Sequence, residues 1–182
     1  MGDERAREEV ISGLKYAVSL LEERMAAELV PVTGSEIAYA LKGAREPDQV
    51  AGVLGGIVRI GDRVHAKGGI IFGAAGDAAG IALTAMRFDP MMRSAATIKC
   101  SAEVLSVMEE MFLEICSFDR EKEPIGIKTM DWGVASCCGN GVPEVIYDRS
   151  AAGKEAMVRF MGQEPLEIAN KIIMLSARIV HD

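Results

Sequence analysis

Between Arg5 and Leu29 the apolar positions Val10, Ile11, Leu14, Val18, Leu21 and Met25 recur at steps of three and four, with Glu, Arg and Lys between them. That spacing predicts one amphipathic helix. Pro31 and Gly34 end it, and Ser35 is placed to cap a short second helix in "GSEIAYAL". After a polar loop, "VAGVLGGIVRIGDRVHAKGGIIFG" breaks into short β-branched runs separated by Gly and Asp. This predicts two or three strands, with "IGDR" as the turn of a hairpin. "DAAGIALTAMRFDP" returns to helical spacing and stops at Pro90. "MRSAATIKC" reads as a strand, and "SAEVLSVMEEMFLEI" as a helix with Ser101 at its N-cap and Glu103 in its first turn. "CSFDR" is a strand end or loop, "WGVASCC" a short helix, "PEVIYDR" a strand, and "AGKEAMVRFMG" a loop feeding a strand or helix. "EPLEIANKIIMLSARIV" is a closing amphipathic helix. Strands alternate with helices without an internal repeat, which predicts one layered α/β domain over residues 1–182, a helix at 1–29 and an α/β core at 31–182.

Composition narrows the function classes. Of 182 residues, 49% are hydrophobic and 5% aromatic, and the formal net charge is −7. Basic residues are scattered, so the phosphate-contact term that drives nucleic-acid binding has no source. No apolar stretch reaches the roughly 20 residues that span a bilayer. The charged N-terminus reads as no signal peptide, and Ala6 stands where a myristoylation signal needs Ser or Thr. The expectation is a cytoplasmic protein whose Cys100, Cys116, Cys137 and Cys138 are reduced thiols.

Three stretches carry candidate chemistry. "GAAGDAAG", Gly73 to Gly80, joins an apolar run to a helix. Its GxxGxxxG spacing matches neither the dinucleotide nor the P-loop fingerprint. It reads either as a tight turn with Asp77 as N-cap or as a phosphate cradle at a helix start. "IYDRSAAGKEAMVR" sets Asp148, Arg149, Lys154 and Glu155 around a small turn. Arg149 suits bidentate grip of a phosphate and Lys154 adds a point charge, unless both belong to solvated ion pairs. "SFDREKEP" repeats the pattern with Asp119 and Arg120. Trp132 is either a platform for a heteroaromatic ring or a packing residue. Cys137 and Cys138 lack two further ligands for zinc, with only His65 and His181 in the chain. No metal site is expected.

Taken in order, "GSEIAYAL", "VAGVLGGIVRIGDRV", "FGAAGDAAGIALTAMRFDP", "SFDREKEP", "DWGV" and "EVIYDRSAAGKEAMVRFMG" resemble the ThiN-type thiamine-phosphate synthase domain. The resemblance runs from about Pro31 to Met161. It implies a three-layer α/β/α fold related to class II aldolases, with amphipathic helices at both termini, and a homodimer. It also implies a reaction joining hydroxymethylpyrimidine diphosphate to thiazole phosphate with release of diphosphate, with Mg²⁺ as an option for the diphosphate substrate. The ligand or phosphate-binding positions implied are Arg59, Gly73, Gly76, Ser117, Asp119, Arg120, Trp132, Asp148, Arg149, Gly153, Lys154 and Glu155.

The chain departs from that pattern where the family reads like "GRIVR" and "FGASSHVA". Gly56 replaces an Arg and Asp77 replaces a His, the pair that the resemblance associates with turnover. Glu36 and Thr97 stand where Asn is usual, and Ser150 where Gly is usual. The expectation is therefore a domain that binds thiamine phosphate or a related phosphorylated metabolite, with lost or reduced synthase activity. The alternative is an active synthase in which another cation, Arg59 being nearest in sequence, compensates. A purely structural role would instead leave a collapsed pocket.

Overall fold

A computed structural model describes residues 2–124, 131–149 and 155–179. Its centre is a mixed seven-stranded sheet, in the order β5-β2-β1-β6-β9-β8-β7. The strands are β1 (Ile37–Ala40), β2 (Val50–Val53), β5 (Ile70–Phe72), β6 (Ser94–Lys99), β7 (Ile115–Asp119), β8 (Val145–Arg149) and β9 (Met157–Gly162). All neighbours are antiparallel except β7 and β8. The hairpin β3 (Ile57–Ile60) and β4 (Arg63–Ala66) stands as a separate two-stranded sheet, with Gly61 at positive φ in its turn. The glycine-punctuated stretch thus holds four strands, where the runs alone suggest two or three.

Alternation along the strands builds three layers, because successive side chains point to opposite faces. On β6, Ala96 and Ile98 join the core beneath α1 (Gly2–Arg24) and α5 (Pro165–Ile179), while Ala95 faces the other way. On β9, Val158 and Phe160 likewise oppose Met161. The second face is covered by α2 (Asp77–Phe88) and α4 (Trp132–Cys137), and α3 (Ala102–Glu110) packs beside α5. Val10, Leu14, Val18 and Leu21 are buried on α1, as their periodicity requires. This α/β/α arrangement is the one the sequence predicts. Among the described residues no helix is long and apolar enough to cross a membrane.

Four local expectations are corrected. The first helix ends at Arg24, and Ala27–Leu29 forms a separate 3-10 turn. Ser35 caps no helix: "IAYA" is buried and paired on both edges as β1, while the Ser35 amide donates to Ile57 O and the Ile57 amide returns the bond. A buried apolar run beside two partner strands gains more as a ladder than as an isolated helical turn. Asp77 is the first helical residue of α2 rather than its cap, which is Gly76 at φ 58°. Finally, Cys116 and Cys137 form a disulfide, leaving Cys100 and Cys138 free. The packing of α4 on the edge strand β7 brings the two Cα atoms to 5.9 Å, within bridging range. Ser101 does cap α3, its hydroxyl accepting the Val104 amide at 3.1 Å.

Candidate functional site

The face of the sheet that carries α2 also carries a cleft of about 720 Å³. Its walls are one side of α2 from Asp77 to Arg87, the loop at Arg45–Pro47, the Asp131 turn, and Thr97, Met157 and Arg159 from the sheet. Four arginines line it: Arg45, Arg87, Arg120 and Arg159. The segment just before α2 explains one end. Gly76 has positive φ, and a Cβ there would lie 2.6 Å from Glu36 Oε2. Only glycine lets the chain turn so closely over that carboxylate. Glu36 Oε2 accepts the Ala78 amide at 2.9 Å, so a side chain from the leading edge of β1 satisfies the N-terminus of α2. Burial pushes the Glu36 carboxyl above its ordinary value; the Ala78 amide opposes this, while the Asp77 charge adds to it. The Asp77 amide also supports the Glu36 carboxylate, while the Asp77 side chain makes no hydrogen bond or ion pair among the described residues and lines the cleft.

The basic end is organised by a buried acid. Asp148, with its side chain fully enclosed, forms an ion pair with Arg120 Nε at 2.7 Å through Oδ2 and accepts a hydrogen bond from Arg159 Nη1 at 2.8 Å on Oδ1. The Met157 amide also donates to Asp148 Oδ1 at 2.9 Å. Asp119 Oδ1 accepts the Glu121 amide and so caps the 3-10 turn that begins at Arg120. Arg159 lies over the Phe118 ring at 5.0 Å, and Phe118 meets Trp132 edge-to-face at 6.1 Å. Gly133 is required beneath that ring, because a Cβ there would overlap Phe118. The result is two guanidinium groups held by one carboxylate, a net positive end whose geometry is fixed from behind.

The sequence-predicted residues divide accordingly. Gly76, Asp77 and Arg120 line the cleft, while Asp119, Asp148 and Trp132 support it. Ser117 sits within β7 beside Tyr147, and Arg149 ends β8, exposed, opposite Asp119. Gly73, at positive φ, closes the end of β5, where its amide donates to Val50 O. Glu155 accepts the Val32 amide at 3.1 Å. Arg59 donates to Gly61 O at 2.9 Å and lines a separate cavity of about 280 Å³ with Lys99. Gly153, Lys154 and Ser150 lie outside the described residues. Among the described residues no group of three His, Cys, Asp or Glu is placed to hold a metal ion. The sequence reading did not single out Arg45, Arg87 or Arg159. For Arg159 a signal existed: an arginine within the apolar run "MVRFMG" must find a buried partner.

With this geometry in view, comparison with known proteins is decisive on kinship. The sequence profile of the thiamine-phosphate synthase ThiN family matches residues 13–174. The chain belongs to this family. It is 36% identical over 170 residues to the bifunctional thiamine biosynthesis protein ThiDN of Methanocaldococcus jannaschii, covering 91% of this chain and 40% of that protein. It is 31% identical over 154 residues to the thiamine-phosphate synthase ThiN of Methanothermobacter thermautotrophicus, covering 81% of each. The crystal structure of the C-terminal domain of protein MJ0236 superposes with a TM-score of 0.88 at 34% identity, over 96% of this chain and 97% of that one. L-Fuculose-1-phosphate aldolase from Thermus thermophilus shares the fold, with a TM-score of 0.50 at 13% identity, over 96% of this chain and 93% of that one. Within this ThiN chain the two departures separate in space. Asp77 lines the cleft, whereas Gly56 sits in the turn before β3, at φ 76°, where a Cβ would lie 2.9 Å from Ser35 O. Gly56 borders Ser35, and Asp77 is next to the amide that Glu36 binds.

Proposed function

We propose that this chain binds thiamine phosphate or a related phosphorylated metabolite in the cleft, with its thiamine-phosphate synthase turnover lost or reduced. One observation carries the reading: Glu36 occupies the N-terminus of α2 through the Ala78 amide, and the Asp77 carboxylate stands beside it without a partner among the described residues. A helix N-terminus with free amides stabilises a phosphate. Here those donors serve a carboxylate of the protein, and a second carboxylate repels an incoming anion. Synthase chemistry of the family releases diphosphate, whose growing charge has to be met by donors or cations in the transition state. Losing one such contact costs about 3 kcal/mol. The opposite end, with Arg120 and Arg159 locked on Asp148, keeps what ground-state binding of a phosphate needs.

A second reading, an active synthase, is favoured by Arg45 and Arg87, which line the same cleft and supply the cations that Arg59 does not. Calorimetric titration with thiamine phosphate tests the binding half. Binding that weakens by about 1.5–3 kcal/mol in Arg120→Ala is expected for a charged hydrogen bond. No measurable heat with the unaltered chain contradicts the reading.

A further inference from the structure

The charges of the cleft are laid out along one line of the sheet. Glu36 precedes β1 and is joined to Thr97 by two bonds: the Thr97 amide donates to Glu36 O, and the Glu36 amide donates to Thr97 Oγ1. Thr97 in turn pairs directly with Arg159 of β9. Directly paired residues of antiparallel strands project to the same face, and neighbouring strands lie about 4.8 Å apart. Glu36 and Arg159 therefore stand about 10 Å apart on the face that α2 covers, with Thr97 midway. Asp77 belongs to the Glu36 end, since Glu36 binds the amide next to it. Arg120 belongs to the Arg159 end through Asp148. The cleft is thus bipolar, acidic at one end and basic at the other.

Glu36 also decides what Asp77 is free to do. An acid in the first turn of a helix ordinarily spends its charge on the helix amides. Glu36 has taken that duty, and the Asp77 carboxylate is left exposed at the cleft wall. We propose that Asp77 receives a cationic or N–H-donating nitrogen of the ligand while Arg120 and Arg159 hold its phosphate. The ligand class is then a phosphomonoester that carries a positively charged or amino-bearing ring at the end away from its phosphate. The proposal rests on the phosphate-binding reading of the cleft, and adds to it the direction in which the ligand lies and the residue that selects it. A simple anion gains nothing at the Asp77 end, so Asp77 acts as a filter for zwitterions.

The test compares two probes by calorimetry on the unaltered chain, Asp77→Asn and Arg120→Ala. Thiamine phosphate carries phosphate, cationic ring and amino group; 2-phenylethyl phosphate carries phosphate and an uncharged ring. The unaltered chain should prefer thiamine phosphate by about tenfold or more, as one charged hydrogen bond would give. Asp77→Asn should erase that preference by weakening thiamine phosphate, without weakening 2-phenylethyl phosphate. Arg120→Ala should weaken both probes together and keep the preference. Thermal unfolding checks that each variant is folded, and position 77 is exposed, so the substitution removes no packing. If both probes bind but Asp77→Asn leaves their ratio as it was, or the unaltered chain shows no preference, the assignment of Asp77 is overturned and the phosphate-binding reading survives. If neither probe binds the unaltered chain, both fall.

Discussion

The Glu36 carboxylate accepts the Ala78 amide at 2.9 Å, across 42 residues of sequence, so the helix that walls the cleft is capped from a neighbouring strand. Removing the cap with Glu36→Ala should destabilise the fold by about 1 kcal/mol, measured by urea unfolding. Glu36→Gln retains an acceptor and should not. The pH dependence follows from the upward displacement that burial imposes on this carboxyl. Because the folded value exceeds the unfolded one, the stabilising contribution is whole below the ordinary value of 4.5 and is lost as pH rises through the raised folded value. Unaltered protein should therefore lose ground to Glu36→Gln on going from acid to neutral pH. A stability difference that stays flat across that range would contradict this.

Asp148 sits between two arginines of the cleft, pairing one with each carboxylate oxygen. Arg159 is 8% exposed and Asp148 1%. Asp148→Ala should cost about 3–5 kcal/mol in denaturant unfolding, because it strands a buried guanidinium without a counter-charge. A loss below 1 kcal/mol would mean that solvent already reaches the pair.

Placing an arginine at position 56, where the resemblance implies one, is expected to harm the fold before it helps catalysis. The backbone there has φ 76°, and the Ser35 carbonyl blocks a Cβ. Gly56→Arg should lower stability by about 1–2 kcal/mol, read as a lower unfolding midpoint. A neutral effect would show that the turn relaxes readily and admits the side chain.

The disulfide between Cys116 and Cys137 makes a chemical prediction. Thiol titration of protein unfolded without reductant should find two free cysteines, Cys100 and Cys138, rather than four. Cys116→Ser should then lower stability by about 2–4 kcal/mol under non-reducing conditions, as expected for a closed loop of roughly this length. Four free thiols would return the chain to the reduced state that its sequence suggests.

The layered fold was legible in the sequence because its signals are local. The 3.6-residue stripe of α1, the Ser101 cap and the "IGDR" turn each reside within a few neighbouring residues. The family was legible too, since ordered segments carry it. What the sequence hid is long-range pairing. The partner of the α2 amides is Glu36, 42 residues away, and that of Arg120 is Asp148. Spacing alone offered Asp77 as the cap, and only the position of β1 under the turn shows that another acid takes the role. Arg59 matched the family pattern yet lies at a different cavity from Arg120, because its hairpin forms a separate sheet. Cysteine pairing has no signature in spacing at all.

Binding without competent release of diphosphate, as proposed, calls for one paired experiment: incubating the purified chain with hydroxymethylpyrimidine diphosphate, thiazole phosphate and Mg²⁺ and measuring thiamine phosphate formed per chain, beside a titration with thiamine phosphate on the same sample. Saturable binding is expected, with turnover far below the usual enzymatic range of about one per second or more. Turnover within that range would contradict the proposal, and would show that Arg45 and Arg87 serve where Gly56 and Asp77 do not.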